Sequence, residues 1–167
     1  MKKVVLSIIA AFAIMGCVYK APLAAPQDIA VDNSVLGAWN IIDQTAAEGK
    51  ITDKLLVLKY DKNEYLVNYE NNDGSMYFRG YPINVNDNLY IQLQLIGTDK
   101  GSVKEQDRKY QVIAYSLNKD TLNISLLNAE LLKPQDINTT EEFVKAFNES
   151  KNNEKLFSEP VAFNRVK

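Results

Sequence analysis

The sequence predicts an all-β domain, an eight-stranded antiparallel up-and-down barrel with one short helix. Three observations predict it. From residue 36 onward, short apolar or alternating runs recur about every ten to twelve residues. Residues that favour turns separate them, and the alternation buries one face of each run.

The runs are Leu36–Asp43, Lys54–Asp61, Glu64–Asn71, Met76–Val85, Asn88–Gly97, Lys109–Asn118, Thr121–Leu127 and Val161–Val166. Between them lie Asp61-Lys62-Asn63-Glu64, Asn71-Asn72-Asp73-Gly74, Asn86-Asp87-Asn88 and Asn118-Lys119-Asp120-Thr121. Such links are too short for crossovers, so neighbouring strands run antiparallel. Alternation is clearest where Leu89, Ile91, Leu93 and Leu95 oppose Tyr90, Gln92 and Gln94, and where Leu122, Ile124 and Leu126 oppose Thr121, Asn123 and Ser125. An open meander would expose two edges, and closure into a barrel removes them. The step Gly80-Tyr81-Pro82 marks a bulge or an edge in the fourth run. The loop from Gly97 to Arg108 is charged and lies at an opening.

The one helix falls between the last two runs. Thr139 with Glu142 forms a capping box, and Phe143 with Phe147 makes an apolar stripe. This helix is expected outside the barrel or across one mouth, covering core.

Ahead of the domain stands a leader, residues 1–16: Lys2-Lys3, then twelve almost wholly apolar residues, Val4 to Met15, and Gly16. The run is too short to cross a bilayer, which takes about 20 apolar residues. Ile14-Met15-Gly16-Cys17 resembles the lipobox of bacterial lipoproteins. That resemblance implies cleavage between Gly16 and Cys17, acylation of Cys17 and anchoring to a membrane. With Val18 after the cysteine, it also implies the outer membrane. Two or more acyl chains hold a protein on a bilayer stably, because each buried methylene contributes about 0.8 kcal/mol. Residues 17–33, with two prolines and no sustained period, read as the lipidated terminus and a flexible tether, and 34–167 as the barrel. Within that tether, Ile29 and Val31 are suited to packing on the domain.

Gly37-Ala38-Trp39 resembles the Gly-x-Trp element of lipocalins and lipocalin-like domains. In those the tryptophan plugs one barrel end and an arginine from a late strand stacks on it. Arg165 is the arginine placed to reach Trp39, since the first strand's start and the last strand's end share a rim. The helix precedes the last strand here, whereas in lipocalins it follows, so the resemblance is one of architecture.

Chemistry is sparse. The 167 residues include no histidine and one cysteine, which removes the usual general base and cysteine-rich zinc sites. Ser150-Lys151 and Glu141-Glu142 are adjacent on a helix and point apart, and Asp43 and Glu48 could act as a pair only with another carboxylate that the fold brings close. Placing Gly74 as the sixth residue of an EF-hand puts Tyr69 first and Gly80 twelfth, which cannot chelate calcium. No catalytic residue, metal ligand or cofactor is therefore expected. With 19 basic against 21 acidic side chains and the lysines dispersed, nucleic acid is not expected as a partner.

Eight tyrosines, Tyr60, Tyr65, Tyr69, Tyr77, Tyr81, Tyr90, Tyr110 and Tyr115, suit a half-polar pocket, a protein-contact surface or an ordinary exposed barrel wall. The expectation is a non-enzymatic, membrane-anchored envelope lipoprotein that binds a small amphipathic ligand or an envelope component. Its cavity would be lined by Leu89, Ile91, Leu93, Leu122 and Ile124. The alternative is a filled barrel that contacts or inhibits a protein partner.

Overall fold

Hydrogen-bonded strands begin two residues ahead of the only tryptophan, at Gly37, and return beside it at Arg165. The computed structural model describes residues 18–43 and 50–167. The leader, Gly16 and Cys17 lie outside the described residues, as does Glu48.

The strands are β1 (Gly37–Asp43), β2 (Lys50–Asp61), β3 (Glu64–Asn71), β4 (Gly74–Val85), β5 (Asn88–Thr98), β6 (Gly101–Ser102), β7 (Tyr110–Asn118), β8 (Thr121–Leu126) and β9 (Val161–Arg165). All pairings are antiparallel. Each barrel strand pairs with the next in the ring β1, β2, β3, β4, β5, β7, β8, β9. The ring closes through Trp39 opposite Arg165 and Asn40 opposite Asn164. β6 merely extends β5 within the charged loop. The fold is thus a closed, eight-stranded up-and-down barrel.

Turn chemistry accounts for the hairpins. Asn86 and Asp87, between β4 and β5, both hold positive φ (53° and 63°), the backbone that a two-residue hairpin of the primed type requires. Pro82 sits two residues past Gly80, whose pairing with Tyr65 ends the β3 ladder, so its missing N–H costs no bond to β3. The bulge in β4 falls earlier, at Tyr77/Phe78.

Two helices interrupt the path from β8 to β9: α1 (Ala129–Leu132) and α2 (Thr140–Ser150). In α2 the capping box is complete, with Thr139 accepting from the Glu142 N–H and Glu142 accepting from the Thr139 N–H. Phe143 and Phe147 are buried. They do not face the lumen. With Ile83, Val112, Leu127 and Leu132 they form a second core on the outside of the barrel.

Residues 18–33 are not a tether. Tyr19 is 0% exposed, and Ala21, Leu23 and Val31 are buried. The segment is a strap. Val18 and Tyr19 donate to the Tyr110 carbonyl, and the Tyr110 N–H donates back to Tyr19. Tyr19 stacks on Phe143 with ring centroids 4.3 Å apart. Further on, the Gln92 side chain, 1% exposed, accepts from the Leu23 N–H at 2.7 Å and donates to the Ala24 carbonyl at 2.9 Å. Gln27 then bonds the Asn84 N–H, and the Val31 N–H bonds the Lys62 carbonyl. The prolines and alanines conceal this because the strap uses isolated anchors rather than a period.

Candidate functional site

The lumen is the natural place for a ligand in such a barrel. Its axis is lined by the inward positions of alternating strands: Leu55 and Val57 of β2, Tyr65 and Val67 of β3, Ile91 and Leu93 of β5, and Leu122 and Ile124 of β8. Ile91, Leu93, Leu122 and Ile124 thus lie together on the axis. Leu89 does not: it is 47% exposed. The β5–β7 ladder begins at Ile91, so Leu89 projects past the wall that would have covered it.

The space left between these side chains is small, a cavity of about 50 Å³ lined by aliphatic groups and the Tyr65 and Tyr115 rings. A liquid water occupies about 30 Å³, and small-molecule pockets run to about 300–1,000 Å³. Aromatic bulk accounts for the filling. Trp39, Tyr69, Phe78 and Phe163, each 0% exposed, pack in the same core. Residue type alone misses this, since the inward Tyr65, Tyr69 and Tyr115 are the same residue as the outward Tyr60, Tyr77 and Tyr81.

One mouth is shut by the end of the strap. Val31 and Val35 enter the core, and the Trp39 indole N–H donates to the Val35 carbonyl at 3.0 Å. Arg165 places its guanidinium carbon 4.0 Å from the Trp39 ring centroid. Its Nη1 donates to the Leu36 carbonyl at 2.9 Å and its Nη2 to the Ser34 carbonyl at 2.6 Å. Gly37 explains its own identity: φ is +125°, and an added Cβ would lie 3.2 Å from Arg165 Nη1.

Polar groups at this mouth satisfy one another. The Tyr115 hydroxyl donates to Asp32 at 3.1 Å, the Ser34 N–H donates to the same carboxylate at 2.9 Å, and the Tyr65 hydroxyl accepts from the Asp32 N–H at 2.6 Å. Burial raises the Asp32 pKa, but the hydrogen bonds from Ser34 and Tyr115 outweigh it, so the carboxyl stays below its ordinary range. Burial, reinforced by Asp32, pushes the Tyr115 hydroxyl well above its ordinary value. Elsewhere in the lumen Tyr69 donates to Asp53, again with a raised pKa, from burial first and Asp53 second.

The outer wall of β1 to β4 is different in character. Among the described residues seven large apolar side chains are exposed, and five of them (Leu56, Leu58, Tyr60, Tyr77 and Val166) lie on this wall and its margin at β9. The registers align them: Leu56 lies between Ala38 and Asn68, Leu58 faces Leu66, and Tyr77 faces Asn68. Beside them Arg79 forms a forked pair with Glu64, 8% exposed, and lies 5.5 Å from the Tyr81 ring centroid. Tyrosine and arginine around an apolar patch are the residue types that concentrate binding energy at protein interfaces.

Among the described residues no helix is long and apolar enough to cross a membrane, and no group of three or more cysteine or acidic side chains is set to hold a metal ion. No protein-family model matches the chain, and neither does any curated protein or solved structure.

Proposed function

We propose that this protein is an acyl-anchored component of a bacterial envelope that works by contact through the outside of a filled barrel. The observation that carries this reading is the lumen: about 50 Å³, wholly apolar in its lining, and shut at one mouth by the strap. Small-molecule carriage, the other use of such a barrel, asks for several times that space. The exposed apolar wall of β1 to β4 supports contact with another envelope protein, since among the described residues its Tyr, Leu and Arg side chains are left uncovered by strap and helices. The anchor rests on the leader and the lipobox-like Ile14-Met15-Gly16-Cys17.

Native mass spectrometry of the protein extracted from its own host's membranes tests both parts. The expected species is the chain from Cys17 to Lys167 carrying covalent acyl groups and nothing else. A stoichiometric non-covalent small molecule overturns the filled-barrel reading. A chain retaining residues 1–16 with a free thiol overturns the anchor.

A further inference from the structure

Residues 18–33 number sixteen, and as a free coil they would hold a barrel about 20–24 Å from its anchor on average. The folded strap abolishes that slack. Val18 is already hydrogen-bonded to Tyr110, and Tyr19 is wholly buried against Phe143. One peptide unit, about 3.8 Å between Cα atoms, separates residue 17 from this clamp.

We infer that the barrel is mounted on a phospholipid bilayer without a spacer, with the start of β7 and the Val18–Lys20 segment against the lipid and the apolar wall of β1 to β4 facing away. This rests on acylation at Cys17 and adds an orientation to it. The antiparallel bridge between Tyr19 and Tyr110 sets Lys20 opposite Lys109, both exposed, with Arg108 alongside. These cations suit anionic headgroups. Glu105 and Asp107 in the preceding turn, and the exposed Glu141 and Glu142 in the first turn of α2, whose Phe143 stacks on Tyr19, offset much of their charge, so the acyl chains supply most of the hold.

The ring order fixes what faces away. From β7 the ring runs through β5, β4 and β3 to β2, four steps of eight, or half a turn. Going the other way, through β8, β9 and β1, is also four steps. Leu58 on β2 is therefore diametrically opposite the clamp. A partner for the Leu56–Leu58–Tyr77 wall must approach from the aqueous side, while Val18–Lys20 and the start of β7 are closed to it by lipid.

Single-cysteine variants of the full, acylated protein test this, because thioether formation removes Cys17 from labelling. Lys109→Cys and Leu58→Cys, each carrying an environment-sensitive fluorophore, are reconstituted into phosphatidylethanolamine/phosphatidylglycerol vesicles with and without headgroup-nitroxide lipid. The probe at 109 is expected to lose most of its emission to the nitroxide and the probe at 58 to keep it. A Gly/Ser insert of sixteen residues between Cys17 and Val18 is expected to relieve the quenching at 109. Trp39 emission checks that each variant is folded, and mass spectrometry of the same samples reads acylation. Missing acyl groups defeat the anchor itself. Acylated protein in which 109 stays unquenched, 58 is quenched instead, or the insert changes nothing defeats the orientation and leaves the anchor standing.

Discussion

Replacing Arg165 by alanine removes three interactions at once, and their sum can be worked from the geometry. The stack on Trp39 at 4.0 Å is worth about 0.5–2 kcal/mol. The two hydrogen bonds to the Leu36 and Ser34 carbonyls come from a charged donor, for which about 1.5–3 kcal/mol each is usual. The side chain is 29% exposed, so about 1 kcal/mol each is the fairer figure. The contact to Asp120 at 3.9 Å is at the surface and adds nothing to the total. The expected loss is about 3 kcal/mol, or about 6–12 °C in Tm for a domain of this size. Trp39 is the only tryptophan and is wholly buried, so its emission reports unfolding from the site of the change. Urea titration followed by that emission is the assay. Arg165→Lys should recover less than half of the loss, because an ammonium cannot lie on the indole and reach both carbonyls. A loss below about 1 kcal/mol, or a lysine variant as stable as the parent, would refute the view that this arginine ties the strap to the barrel end.

Three further outcomes are expected. Gln92→Leu leaves the Leu23 N–H and the Ala24 carbonyl without their partner at a buried site, at about 2–4 kcal/mol; hydrogen exchange should quicken at Leu23 and Ala24, and trypsin should cut after Lys20. Leu93→Ala costs about 3–5 kcal/mol and enlarges the lumen toward the volume that accepts benzene, so added benzene should raise the Tm of the variant and leave the parent unchanged. The Asp32 pKa is lowered on folding, so its share of stability is full above the unfolded value of about 3.9 and is lost as pH falls through the folded value. Asp32→Asn should therefore flatten the acid limb of a stability–pH curve measured by urea titration. A parallel acid limb in parent and variant would contradict that assignment.

Much of the barrel was legible because antiparallel strands write themselves at period two, with Asn and Asp at the turns. The eight runs recur as the eight barrel strands, β3 with both ends as expected. The start of β2 at Lys50 was hidden because Lys50, Thr52, Asp53 and Lys54 mask Ile51 and Leu55. The strap was illegible for another reason: it adheres through single anchors, Tyr19, Leu23 and Val31, and through a glutamine, and none of these leaves a pattern. Alternation placed Ile91, Leu93, Leu122 and Ile124 on the axis but put Leu89 with them, since parity says nothing about where a neighbouring strand begins. Nor could it give the cavity volume. That depends on how far Trp39, Tyr69, Phe78 and Phe163 reach across the axis, which is a matter of packing and not of period.

Electron density in the lumen is the most direct trial of a barrel that works from its outside. In crystals of protein purified from its own host's membranes, Leu55, Val67, Ile91 and Ile124 should meet around an empty space of about 50 Å³. Continuous chain-like density between those side chains, in a lumen widened to hold it, would contradict the account.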